Sequence, residues 1–429
     1  MLDRRSFLGS VAGAALLAHT PRPTASPAPA DAAALVPPPF QDDEAYWRTL
    51  RTEFLIPADE AFFNTGTLGS MPRAVLQAVA DDMNLVAGTI AHWNYKPGTP
   101  DYITGYNPET DLRTALAALI GASPDEVALT QNATLGMNYV ANGLPLEPGH
   151  EIILTNLEHP GGRMGWELKS KRYGIYVKQV NVPVPPADPQ QLIDLYVNAT
   201  TPQTRVWSIP HLTSGQAIRF PVERMCAIAK QRGIFTVIDG AQMSGHVQLE
   251  MKRIGCDAYY SSPHKWLLAP AGSGFLYVTS DQLPGVWATL ASATWDDYKA
   301  GAYRLMQIGT GNRSMLKGYA AAIAFHNRIG PARVEARIMA LANRLRAGLQ
   351  QIPQVTIHSP THPDLVSGTT VWSLAGTTGE QLMDGLWSRA KIRCRSMGDP
   401  LGVRQCCHVY TLMDDVDRTL ATVREMVRG

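Results

Sequence analysis

Lys265 is the residue of this chain best suited to covalent chemistry. It stands in Ser262-Pro263-His264-Lys265-Trp266-Leu267-Leu268, with Tyr259-Tyr260 shortly before it. A surface lysine usually sits among other charges. One set among aromatic and aliphatic neighbours is expected to be buried, and burial favours its neutral amine. A neutral amine can condense with an aldehyde, which is how proteins usually hold pyridoxal phosphate (PLP), and that cofactor also needs a carboxylate against its pyridine nitrogen. Asp239, closing the apolar run Phe235-Thr236-Val237-Ile238, is the candidate. Taken alone, the pair is equally compatible with two strand-end residues facing solvent.

The wider spacing says more. D-x-x-Q (Asp239, Gln242), S-x-H-K (Ser262, His264, Lys265) and P-x-G-x-G-F-L-Y (Pro270 to Tyr277) follow in that order. This pattern resembles the class V aminotransferase family of fold-type I PLP enzymes, its isopenicillin N epimerase-like branch above all, from about Phe62 to the C terminus. The resemblance implies Lys265 as the Schiff-base lysine, Asp239 on the pyridinium, Gln242 on the ring hydroxyl, and Ser262 and His264 at the phosphate. Thr130-Gln131-Asn132-Ala133-Thr134 is similar to the family's T-x-x-A-T turn, implying phosphate contact by Asn132, Ala133 and Thr134. A strand delivering a polar turn to a helix N terminus suits that role through its unpaired N–H groups, although an ordinary capped helix reads the same way. By the same resemblance His159, after the strand Glu151 to Thr155, stacks on the pyridine ring and completes a catalytic set with Lys265 and Asp239.

On the substrate side, Val403 to Tyr410 resembles the strand bearing the arginine that grips a substrate carboxylate. Arg404 suits that task because a planar guanidinium binds carboxylate with two parallel hydrogen bonds. Arg395 is a second candidate. Asn64, in the turn Asn64-Thr65-Gly66, and Asn94 and Tyr95, in a polar-aromatic stretch, are further candidates. Thr310, in Gly309-Thr310-Gly311-Asn312, resembles a loop that crosses to the partner's phosphate, which implies a homodimer with shared sites. Two departures stand out: Ala217 occupies a place where glycine is usual, and Gln216 has no evident counterpart. Group II cysteine desulfurases carry a reactive cysteine a few residues beyond the equivalent of Arg395. Pro400 stands there instead, which argues against sulfur transfer.

The elements that must position these residues alternate. Strands are expected at 126–130, 151–155, 175–180, 205–209, 234–238, 258–261 and 274–278. A helix is expected over 111–120 with Gly121 as its C-cap, another from Ala133, and a long helical stretch from Met315 to Leu349. Such alternation predicts an α/β fold with one large, mostly parallel sheet and sites at the strands' carboxyl ends. The resemblance specifies fold type I, with a seven-stranded large domain over 75–314, a smaller α+β C-terminal domain over 315–429, and an N-terminal segment, 31–74, packing with the small domain.

The 429 residues carry a formal charge of +1, with 45% hydrophobic and 17% charged residues, an ordinary globular balance without a basic patch for nucleic acid. The five cysteines have neither C-x-x-C nor metal-ligand spacing, and no metal is expected. Residues 1–30 differ from the rest: Arg4-Arg5 precede a short apolar run, Val11 to Ala18, and a Pro/Ala-rich tract. That is the pattern of a twin-arginine (Tat) signal, which predicts passage through the Tat translocase to the periplasm or another exported location, without lasting membrane insertion. Exported relatives include an enzyme that tailors the acyl glutamate of a peptide siderophore, and the layout here is similar. The implied substrate is a small amino-bearing molecule, such as an amino acid or a peptide siderophore precursor, undergoing transamination, epimerisation or C–S/Cβ cleavage. A catalytically silent scaffold is the non-enzyme alternative, and the presence of Lys265, Asp239, His159 and Arg404 together argues against it.

Overall fold

The computed structural model describes residues 43–93 and 107–428. The predicted leader and the candidates Asn94 and Tyr95 lie outside them. Helix α1 (Glu44–Arg51) starts at Asp43, whose carboxylate accepts from the Ala45 N–H, and buries Trp47 and Leu50. Strand β1 (Ala61–Phe62), α2 (Arg73–Thr89) and α3 (Thr110–Ile120) follow. The last ends at Gly121 in the left-handed conformation (φ 64) that a C-cap glycine supplies without steric cost.

The central sheet contains β2 (Val127–Thr130), β3 (Glu151–Thr155), β4 (Tyr176–Val180), β5 (Thr204–Pro210), β6 (Phe235–Asp239), β7 (Ala258–Ser261) and β8 (Gly274–Val278). Its order is β2-β8-β7-β6-β5-β3-β4, and β8 alone runs against its neighbours. The fold is thus the expected mixed α/β architecture around a large, mostly parallel seven-stranded sheet. Covering by helices on both faces explains why the inner strands read as largely apolar runs, whereas the edge strand β4 carries the exposed Tyr176 and Gln179. Neighbours along a strand serve opposite cores: Ile238 and Tyr259 pack with Leu116 and Trp207, whereas Val237 and Tyr260 pack with Tyr139 and Trp166. Helices α4 (Ala133–Gly143) and α5 (Pro160–Tyr173) begin directly beyond β2 and β3, so both present N termini at the carboxyl edge of the sheet.

A second, antiparallel sheet lies in the C-terminal part. It consists of β9 (Val355–Ile357), β10 (Thr369–Leu374), β12 (Arg395–Gly398) and β13 (Gly402–Cys406), in the order β12-β13-β10-β9. The short strand β11 (Ile392–Arg393), between β10 and β12 in the chain, pairs in parallel with β1 and ties residues 61–62 to this region. The expected long helix from Met315 is two helices, Arg313–Ile329 and Pro331–Gln350. Gly330 (φ 96) ends the first, and Pro331, which lacks an N–H to continue the ladder, opens the second.

Candidate active site

Lys265 follows β7 in a turn fixed by the donation of its own N–H to Ser262 O at 3.0 Å. The N-terminal segment packs directly on it: Gly69 N–H donates to His264 O at 2.9 Å, and a Cβ at Gly69 would lie 2.0 Å from Lys265 O, so only glycine fits. Burial pulls the Lys265 amine down to about 8, against the opposing pull of Asp239. Asp239 is the last residue of β6; its Oδ1 accepts from Ala241 N–H at 2.9 Å, and burial raises its carboxyl's affinity for a proton. His159 caps α5, its Nδ1 accepting from Gly161 N–H at 3.0 Å; with that nitrogen an acceptor, burial and the nearby Lys265 favour the neutral ring. These three line one small cavity together with Thr213, Ser214 and Gln242.

Gln242 is held on both sides. Its Nε2 donates to Gly66 O at 2.9 Å, and its Oε1 accepts from the Trp266 indole N–H at 2.8 Å. Trp266 stacks on His246 at 3.7 Å between ring centres. The Gly368 N–H donates to His246 Nε2, so Nδ1 carries the ring proton and donates to Gln242 O. Neither Trp266 nor His246 stood out in the sequence, because their roles depend on contacts distant in the chain.

A cradle lies at the N terminus of α4. Asn132 Oδ1 accepts from Leu135 N–H at 3.0 Å, and Ser262 Oγ accepts from Ala133 N–H at 2.9 Å. Since the first-turn N–H groups of a helix have no partner within it, this leaves the Thr134 N–H together with the Thr134 and Ser262 hydroxyls, an anion-binding set. Thr134 Oγ1 would lie 2.4 Å from a Cβ at Gly161, which brings this turn against that of His159. His264 turns its Nδ1 to Ser273 O at 3.1 Å.

Opposite stands Arg404 on β13, 2% exposed. Its NH1 donates to Ser214 O at 2.7 Å and its NH2 to Thr67 Oγ1 at 2.9 Å and Asn64 Oδ1 at 3.2 Å. Arg395, exposed on β12, donates to the same Thr67 hydroxyl at 3.1 Å. The structure thus gathers Asn64, Arg395 and Arg404, and adds Thr67, which the sequence reading missed although it lies in the turn begun by Asn64. A Cβ at Gly66 would lie within 3.2 Å of Cys406 Sγ, Gln242 Oε1 and Arg404 Cζ, so the glycine of that turn is where the two halves of the site meet. Thr310 does not join this cluster. It is exposed in a loop whose Gly309, Gly311 and Asn312 line a separate cavity of about 350 Å³ with Thr130, Gln131 and Gly272.

Residues 70–424 match the model of the family described as Aminotransferase class-V. The chain belongs to the class V aminotransferase family. It is 31% identical over 404 residues to the isopenicillin N epimerase of Streptomyces clavuligerus, covering 90% of this chain and 99% of that one. It is 26% identical over 420 residues to a probable cysteine desulfurase of Xylella fastidiosa, covering 90% and 96%. A solved structure of a C-DES variant with glycine covalently linked to its PLP cofactor is similar at a TM-score of 0.76 and 26% identity, over 87% of this chain and 98% of that one. The chain is therefore a PLP-dependent class V enzyme. Its site fits the cofactor on its own chemistry: a buried amine near neutrality, a buried carboxylate with no ion pair among the described residues, and a helix N terminus with free donors.

Proposed function

We propose that this class V enzyme acts at the amino-bearing carbon of an amino acid or an amino-acid-containing metabolite, by transamination or related Cα chemistry. The observation that carries the reading is the single cavity that joins Lys265, Asp239 and His159, with the Arg404 guanidinium across from them. When bound, PLP supplies an electron sink for whichever bond at the substrate's Cα is broken. Lys265 would hold the cofactor, Asp239 its ring nitrogen, and the Ala133–Thr134 turn with Ser262 its phosphate. Arg404, kept rigid by Ser214, Asn64 and Thr67, would bind the substrate carboxylate and fix which Cα bond faces the ring. Lys265 Nζ, near neutrality in its pocket, is then suited to take the Cα proton and return it. His159 would cover the ring and exclude water from that side.

Epimerisation is the second reading, favoured by the similarity to isopenicillin N epimerase over nearly the whole chain. Cysteine desulfurase-like C–S cleavage is weaker. Cys394, Cys406 and Cys407 are all buried, and burial pushes the thiols of Cys394 and Cys407 up to about 12, whereas an attacking thiolate needs the opposite. The Tat-like leader supports an exported enzyme, and with it a peptide siderophore precursor as an amino-bearing substrate.

The test is an absorbance spectrum of the purified protein beside Lys265→Ala, followed by addition of amino compounds, including a peptide siderophore precursor with a free glutamyl amine. A visible band present in the wild type, lost in the variant and shifted by one compound is expected. A wild type that shows no such band after incubation with PLP refutes the reading.

A further inference from the structure

Behind Asp239 the protein buries polar atoms that the site above does not use. Glu158 lies between β3 and His159 with its carboxyl turned inward. Its Oε1 accepts from the Thr155 N–H at 3.3 Å and hydroxyl at 3.0 Å, while Oε2 is buried without a hydrogen-bond partner. Tyr260 OH and Ser208 Oγ share that condition. Such orphaned groups are uncommon enough in folded proteins to call for an explanation.

These atoms belong to one neighbourhood. Asp239 and Tyr260 face each other across the β6–β7 register. A Cβ at Gly162, in the first turn of α5, would lie 2.6 Å from Asp239 Oδ2 and 3.3 Å from Tyr260 OH. Tyr196 OH donates to Ser208 O at 2.7 Å and feels the charge of Glu158, as does Tyr260. The charged groups acting on Glu158 are Asp239 and Arg163, and Arg163 is held at 2.8 Å by Glu167. Burial already disfavours a charge on Glu158, and the charge of Asp239 adds to that, so the two are not expected to ionise together. Asp239 has the Ala241 N–H, Lys265 and His159 on its side, whereas among the described residues Glu158 has hydrogen bonds only from Thr155 and the charge of Arg163, itself held by Glu167. The proton therefore resides on Glu158, and burial, reinforced by Asp239, pushes its carboxyl up to about 8.

We infer that Glu158 is a positioning residue: by staying protonated, it keeps Asp239 the ionised carboxylate of the pair, where the cofactor's ring nitrogen needs negative charge. Its ionisation at alkaline pH puts a second negative charge behind Asp239, and the protonated carboxyl of the pair is lost. The inference rests on the role proposed above for Asp239, and its test has an arm independent of that role.

Infrared difference spectra of the cofactor-free protein, taken between neutral and alkaline pH, are expected to lose a protonated-carboxyl band. That band should move on ¹³C-glutamate labelling of the wild type and be missing in E158Q. A band that follows ¹³C-aspartate instead, or none, overturns the inference without any variant having to fold. In the PLP-loaded enzyme, E158Q should lose an alkaline transition of the visible band that the wild type shows. An unchanged transition in E158Q overturns it too, even if Lys265→Ala has abolished the band as the proposed function requires. A wild type that takes up no PLP sinks the function itself, while the infrared arm still locates the proton.

Discussion

Lys265 shows what burial does to one residue. Its amine carries a proton only below about 8, against 10.5 for an ordinary lysine. Cofactor-free protein should take up PLP at a rate that rises with pH and levels off above about 8, because the neutral amine is the nucleophile; stopped-flow absorbance checks this. The same shift has a stability consequence. Between about 8 and 10.5 only the unfolded chain binds the proton, so stability rises with pH across that window, and below it the folded state bears a desolvation cost on the order of 3 kcal/mol. Cofactor-free Lys265→Met is expected to melt above wild type at neutral pH, with the gain shrinking as pH approaches 10.5. Arg404 poses the opposite case: its guanidinium is fixed by three acceptors that a lysine cannot satisfy together. Arg404→Lys should cost about ten- to a hundredfold in kcat/KM for carboxylate-bearing substrates, mostly through KM.

At the scale of an element, the loop after β5 accounts for Ala217. Thr213 holds the turn, accepting from the Ala217 N–H through its carbonyl and from the Ile218 N–H through its hydroxyl, and Ala217 sits at φ 57. That left-handed conformation is strained for alanine, so Ala217→Gly should be neutral or stabilising by about 1 kcal/mol in denaturant unfolding. The first turn of α5 works in reverse. Gly162 leaves the space into which Asp239 Oδ2 and Tyr260 OH fit, and Gly162→Ala should displace the carboxylate, weakening PLP affinity more than it lowers the melting temperature.

At the scale of the whole molecule, the expectations concern assembly and location. Leu76, Met83 and Ile90, seven residues apart, are exposed on one side of α2 and the turn that continues it. If sites are shared across a dimer through Thr310, co-expressed Lys265→Ala and Thr310→Val chains should form heterodimers more active than either variant alone, measured at limiting PLP. Arg4-Arg5→Lys-Lys should leave the enzyme in the cytoplasmic fraction if the leader is a Tat signal.

The chain's local patterns were enough to read the strands of the central sheet, because the inner strands are apolar for most of their length and their ends are marked by Asp239, Asn132 and the turn after Thr155. Lys265, the candidate for holding the cofactor, was legible for a related reason: a lone cation in an apolar run must either be buried or break the run. Contacts between segments far apart in sequence were not legible. Thr67 reaches Arg404 and Arg395 only because β1 pairs with β11, Gln242 is locked by Trp266 and Gly66, and Glu158 comes under the charge of Asp239 only because β3 and β6 end at the same edge of the sheet. Sequence determined which residues could do the chemistry, since that depends on side-chain type and local burial. Tertiary structure decided which carboxyl keeps its proton and which arginine is held rigid, because both depend on what the fold packs against them.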